Sequence, residues 1–168
     1  CYHKLFSIFK NEVLLPVHVG KETSKVDIPD TLLDNSGENI SAKNKNYCEL
    51  TGLYWAWKNL DADNYGLFHY RRFLDIKDAY KGQIYPSVLD LADWSPTEVD
   101  KLMEEYDIVL PQKSKFNCNV YDRYKKDHIG KDLDIVIDII KGDYPEYTFA
   151  IDCLFTNEEY SGNMFIMK

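Results

Sequence analysis

Apolar residues in this chain come in short runs separated by long polar, turn-forming stretches. "VLLPVHVG" (13–20) predicts a short strand closed by Gly20, and "YHKLFSIF" (2–9) reads as the end of a first strand running into a loop. Residues 21–46 are polar and rich in turn formers, so they predict a long loop, of a length that is often functional. In "YCELTGLYWAWKNL" (47–60), Leu50, Leu53, Tyr54 and Trp57 fall at i, i+3, i+4 and i+7, which predicts a helix with one apolar stripe. Asn46 stands three residues before Glu49, as the N-cap of a capping box would, and Asn59 is the expected stop. A turn and the strand "YGLFHYRRFL" (65–74) follow, then an irregular stretch over 77–96 that reads as a surface insertion.

Ser95, Pro96 and Glu98 mark the start of a second helix at its N-cap, first and third positions. "DIVLP" (107–111) is a strand stopped by Pro111, and 112–119 reads as a loop. Residues 120–155 predict helices broken near "HIGKD" and "GDYPEY". Ile135, Ile137, Ile139 and Ile140 imitate a strand, but Asp132 and Asp134 at the start and Lys141-Gly142 at the end favour a helix. "GNMFIMK" (162–168) closes as a strand. This alternation predicts an α/β fold with a mostly parallel sheet.

A length of 168 residues suits one domain, 1–168, or part of a larger one, and the start at Cys1 and the stop in mid-strand read as a fragment. Apolar content of 45% and charged content of 29% exclude a disordered chain. Net charge is −8, from 20 basic and 28 acidic residues, which argues against nucleic acid or an anionic membrane as partner. A local basic cluster therefore stands out. Cys1, Cys48, Cys118 and Cys153 are scattered, so reduced cytosolic thiols are expected rather than a disulfide framework or a zinc site. No apolar run approaches about 18 residues, so no integral membrane segment is expected, and no signal peptide is visible.

The basic cluster is His69-Tyr70-Arg71-Arg72, at the end of an apolar strand, where open α/β sheets bind ligands. Continued strand geometry would put His69 and Arg71 on one face and Tyr70 and Arg72 on the other. Two guanidinium forks and an imidazole suit a diphosphate, with pairing to Asp75 and Asp78 as the competing reading. Asn39, Ser41, Lys43 and Asn44 crowd ahead of a helix start, where anions bind, although loop chemistry and capping explain them equally. Glu49 fits either the capping box or a catalytic role. His3 and Lys4 follow the first strand and read as a carboxyl-edge pair or as solvated surface. His128, Lys131, Asp132 and Asp134 offer a base or a metal ligand, or merely break and cap a helix. The Asp-x-Asp spacings at 61–63 and 132–134 lie at the wrong ends of their elements for a cation beneath a diphosphate.

"ENISAKNKNYCELTGLYWAWKNL" (38–60) followed by "YGLFHYRRFL" resembles a bacterial domain family of unknown function linked to capsular or exopolysaccharide biosynthesis and similar to GT-A type glycosyltransferases. "YHK" at the start and the later blocks "YDIVLP", "YKKDHIGKDLD", "YPEY" and "NMFIMK" extend the resemblance over nearly the whole chain. It implies a GT-A-like, Rossmann-like fold that continues past the C-terminal end. It also implies transfer of a sugar from a nucleotide-sugar, UDP-linked by expectation, to a glycan or lipid-linked saccharide acceptor. The location implied is cytoplasmic, with room for a peripheral position at the inner membrane face. Donor-side residues would be His3, Lys4, Asn39, Ser41, Lys43, His69, Tyr70, Arg71, Arg72 and His128, and the catalytic base Glu49 or Asp132. Many GT-A enzymes hold a divalent metal at this strand end. Here His69-Tyr70-Arg71 takes that place, so no cofactor is expected to be required, although a divalent metal remains open. A non-catalytic glycan- or nucleotide-binding module is the alternative.

Overall fold

The computed structural model describes residues 1–74, 83–84, 94–160 and 162–168. In chain order its elements are β1 (Val17–His18), β2 (Leu32–Leu33), a 3-10 turn (Ser41–Lys43), α1 (Asn44–Tyr47), α2 (Leu50–Asn59), β3 (Tyr65–Leu67), β4 (Phe73–Leu74) and β5 (Gln83–Ile84). There follow α3 (Pro96–Glu105), β6 (Ile108–Val109), β7 (Lys113–Lys115), α4 (Val120–Asp127), α5 (Gly130–Asp143), a 3-10 stretch (Pro145–Phe155), β8 (Glu158–Tyr160) and β9 (Phe165–Met167). The result is a mixed α/β fold with short sheets. It divides into two compact units, Cys1–Pro111 with Gly162–Lys168, and Gln112–Ser161. Most of the insertion expected over 77–96, and the acids Asp75 and Asp78, lie outside the described residues.

In the first unit, β9 lies between β3 and β6 and runs antiparallel to both. The mostly parallel sheet expected from the alternation is therefore not what the described strands form. Among the described residues, parallel pairing is confined to β1 with β2 and to a bridge between Tyr2 and His18. β3 and β6 do point the same way, as a strand–helix–strand crossover requires. A strand from the far end of the sequence inserts between them, and alternation carries no information about that neighbour.

The main core packs Leu14, Phe73, Leu74, Trp94, Met103, Met164 and Ile166, with Phe9, Val13, Phe68, Val99, Leu102 and Val109 around them. α3 begins as its sequence dictates. The Ser95 hydroxyl accepts from the Glu98 N–H at 3.4 Å, the Glu98 carboxylate accepts from the Ser95 N–H at 3.1 Å, and Pro96 opens the first turn.

α2 departs from expectation in two ways. It starts at Leu50 without a side-chain cap, and Asn46 sits inside the separate turn α1, so the Asn46–Glu49 capping box does not form. Its buried positions are Thr51, Gly52 and Trp55, while Leu50 and Trp57 are exposed. Small residues mark the contact face because the helix lies very close to β1. A Cβ on Gly52 would stand 2.7 Å from Val19 Cγ1. Leu50 and Trp57 face outward, where the Lys58 ammonium covers the Trp57 ring at 3.8 Å, while Trp55 packs inward on Val17 and Val19.

The long loop is ordered by one buried carboxylate. Asp34 accepts from the Gly20 N–H at 2.7 Å and the Thr51 hydroxyl at 2.7 Å on one oxygen. Its other oxygen accepts from the Lys21 N–H at 3.0 Å and the Ser41 hydroxyl at 2.5 Å.

In the second unit, β7 and β8 pair antiparallel beside α4 and α5. The isoleucine-rich segment is helical, as its flanking charges predicted. The Tyr121 hydroxyl donates to Asp134 at 2.6 Å, joining α4 to α5.

Candidate functional site

The basic residues do not continue a strand. β3 ends at Leu67, and His69 to Arg72 make a tight turn in which the Arg72 N–H donates to the His69 carbonyl at 3.2 Å. The chain must reverse here because Phe73 and Leu74, next in sequence, are buried in the core. The alternating faces expected for His69/Arg71 and Tyr70/Arg72 are thus replaced by turn geometry.

Tyr70 points inward and is 2% exposed, packed with Tyr2 and Ile28. Around its ring the N-terminal residues and the turn converge. The His3 ring meets it edge-on at 5.0 Å, and His69 lies at 4.2 Å. The Lys4 ammonium sits 5.3 Å from the ring centre and the Arg71 guanidinium 5.0 Å. One buried aromatic ring thereby gathers cations from segments more than sixty residues apart in sequence. Among the described residues neither Arg71 nor Arg72 makes an ion pair.

His69 is tuned by this setting. The Arg71 backbone N–H donates to its Nδ1 at 3.3 Å, so the neutral ring carries its proton on Nε2. Burial first, and Arg72 second, hold its pKa down to about 4, against the opposing pull of Glu49. The ring is therefore uncharged at neutral pH. Its 3.8 Å approach to Glu49 Oε1 is then a neutral contact, not a salt bridge. His3 is likewise lowered, by burial first and then by Lys4, with Glu49 opposing. Among the described residues, the cluster's charge resides in Lys4, Arg71 and Arg72, against the carboxylate of Glu49.

Glu49 reaches this place through backbone strain. Cys48, just before it, has φ 49° and ψ −129°, a positive φ that non-glycine residues rarely adopt, and this kink separates α1 from α2. Freed from the expected capping box, the Glu49 side chain lines a small pocket with Leu67, Phe68, His69, Arg72, Gly162, Asn163 and Met164. Leu67, Phe68 and His69 also border a larger cavity of about 430 Å³.

Of the residues singled out in the sequence, the first unit brings together His3, Lys4, Glu49, His69, Tyr70, Arg71 and Arg72. Asn39 and Ser41 direct their polar groups into the loop. Asn39 accepts from the Ser41 N–H at 3.2 Å and donates to the Gly37 carbonyl at 2.9 Å, and Ser41 is fully buried on Asp34. Lys43 is exposed in the 3-10 turn. His128 and Asp132 belong to the second unit, as the C-cap of α4 and in the first turn of α5. Sequence reasoning missed Asp34 and Asn163. The Gly162 before Asn163, at φ 84°, was the only local signal for the latter.

The chain belongs to the family described as "Domain of unknown function (DUF4422)", whose model matches residues 1–168. It is also similar to a solved apo structure of WbbM, a bifunctional glycosyltransferase, with 33% identity and a TM-score of 0.85 over 99% of this chain. The chain spans 32% of the length of that structure. A search of the curated proteins gave no match. The similarity places the chain in a glycosyltransferase-like relation. Among the described residues no helix is long and apolar enough to cross a membrane, and no group of three or more His, Cys, Asp and Glu side chains is arranged to hold a metal ion.

Proposed function

We propose that this chain is a GT-A-like glycosyltransferase domain that takes a sugar from a UDP-linked donor and transfers it to a glycan acceptor of a capsule or exopolysaccharide. The observation that carries the reading is the gathering of Lys4 and Arg71 around Tyr70, with Arg72 beside His69 in the adjoining pocket. In a chain of net charge −8, three cations held together without an ion pair to Arg71 or Arg72 among the described residues are suited to an anionic ligand. The donor diphosphate is that ligand in our reading. The 430 Å³ cavity beside His69 has a size suited to the nucleoside.

In transfer, the acceptor hydroxyl oxygen bonds to the anomeric carbon. The bond from that carbon to the diphosphate oxygen breaks, its electron pair leaving with the nucleoside diphosphate, and the hydroxyl proton passes to a carboxylate. The guanidiniums stabilise the charge that grows on the leaving group. Glu49 is the candidate base, because its carboxylate lies beside His69 in the same pocket, with Asp132 as the second candidate. A divalent metal fits this cluster poorly. Among the described residues of that pocket, Glu49, His69 and the Asn163 amide oxygen are the groups able to ligate it, and Arg72 beside them would repel it.

Donor consumption tests the reading. Wild-type protein, given a UDP-hexose and a saccharide acceptor, should release UDP without added metal and in the presence of a chelator. Glu49→Gln should lose at least about a hundredfold in rate with UDP affinity kept. UDP release abolished by a chelator, or a Glu49→Gln enzyme at full rate, would refute these assignments. One second reading is a nucleotide-binding module without turnover. It predicts UDP binding with no release of UDP from any donor.

A further inference from the structure

The pocket between the basic turn and the start of β9 has a chemistry of its own. Its volume is about 130 Å³. That is room for several waters at about 30 Å³ each, and well short of the roughly 300 Å³ at which pockets for drug-sized ligands begin. One ring fits; a whole nucleotide does not.

Its polar lining mixes donors and acceptors. Glu49 offers two acceptor oxygens, His69 an Nε2–H, Arg72 its guanidinium N–H groups, and Asn163 both an amide oxygen and an NH₂. Among the described residues, the side chains of Arg72 and Asn163 make no hydrogen bond, and the Glu49 carboxylate has only the 3.8 Å approach of His69. The remaining wall is apolar: Leu67, Phe68 and Met164. A phosphate, which only accepts hydrogen bonds, would meet the Glu49 carboxylate. A purely apolar group would bury four polar side chains without partners. A ring whose edge carries hydroxyls, each donating and accepting, and whose faces are C–H satisfies both kinds of wall. Gly162, at φ 84°, turns the backbone so that Asn163 enters the lining, a conformation that side chains other than glycine's resist.

We propose that this pocket binds one neutral, hydroxylated sugar ring, with Asn163 as a specificity-determining residue. The proposal rests on the donor reading above, since His69 and Arg72 border both the diphosphate cluster and this pocket. The sugar carried by the diphosphate enters where its phosphates end.

Calorimetric titration with UDP, UDP-glucose and UDP-galactose tests it, on wild-type protein and on Asn163→Leu, which fills the pocket, and Asn163→Ala, which only empties one wall. Retained UDP affinity in each variant doubles as proof of folding. The expected result is that at least one UDP-hexose binds wild-type protein about tenfold tighter than UDP. That gain should vanish in Asn163→Leu and shrink in Asn163→Ala, while UDP affinity stays within about twofold. Hexoses that add nothing to UDP, or a gain that survives Asn163→Leu, would overturn the sugar pocket and leave the diphosphate site standing. Failure of wild-type protein to bind UDP would overturn the donor reading itself and the sugar pocket with it.

Discussion

Replacing Asp34 by Asn would test whether the loop ahead of α2 is a structural hub rather than a ligand-binding surface. The carboxylate takes four hydrogen bonds, two on each oxygen, and each oxygen serves one backbone N–H and one hydroxyl. A hydroxyl can rotate and accept instead of donate. A backbone N–H cannot. Whichever way the new amide is turned, its NH₂ faces the N–H of Gly20 or of Lys21. The loss is one charge-assisted bond and a buried donor left unpaired, about 3 kcal/mol or more in sum. For a chain of this size that corresponds to a Tm lower by roughly 6–12 °C. Urea unfolding followed by tryptophan fluorescence would report it well, because the Trp55 indole N–H donates to Ser36 within the same unit at 3.0 Å. Ser41→Ala, which removes one of the four donors, should cost about 1–2 kcal/mol and leave UDP affinity unchanged. An Asp34→Asn protein within about 0.5 kcal/mol of wild type would refute the hub. A Ser41→Ala protein of full stability but weakened UDP binding would return Ser41 to the donor pocket, where its sequence context suggested it.

Other outcomes follow from the same geometry. Gly52→Ala should destabilise by about 1–2 kcal/mol in thermal melts, the clash with Val19 exceeding the roughly 1 kcal/mol that alanine gains in a helix; a stabilised variant would contradict the close packing of α2. Tyr70→Phe should retain UDP affinity, because the ring holds the cations, whereas Tyr70→Leu should weaken it about tenfold in titrations; equal losses would shift the role to the hydroxyl. His69, with its folded pKa held near 4 against an unfolded value near 6.5, binds fewer protons when folded, so it contributes stability that is present above pH 6.5 and lost as pH falls toward 4. His69→Asn should flatten the wild-type fall in Tm across that window, and an unchanged profile would contradict a buried neutral imidazole.

Much of the fold was legible where the signal was local. The Ser95–Glu98 capping box, the breaks at His128 and Tyr144, and the short strands β6 and β9 follow from residues a few positions apart. The failures are non-local. The antiparallel insertion of β9 between β3 and β6 depends on a partner far along the chain. The contact face of α2 was mistaken because the packing distance, set by Gly52 against Val19, favours small residues over the large apolar stripe. The basic turn was read as strand because its reversal is imposed by the burial of Phe73 and Leu74, not by any turn-forming residue within His69–Arg72. Seven candidate residues nevertheless lie near one another about the basic turn, although turn geometry and not a strand presents them. Asn39 and Ser41 do not, because polar residues before a helix serve a buried carboxylate as readily as a ligand.

The central claim is that Arg71 and Arg72 hold the diphosphate of the donor. Its most direct measurement is calorimetric titration of UDP and of uridine into wild-type protein, Arg71→Ala, Arg72→Ala and the double variant. The account predicts that UDP binds far more tightly than uridine, that each single variant loses about tenfold or more, and that the double variant binds UDP no better than uridine. Equal UDP affinity in wild-type and double-variant protein would contradict it.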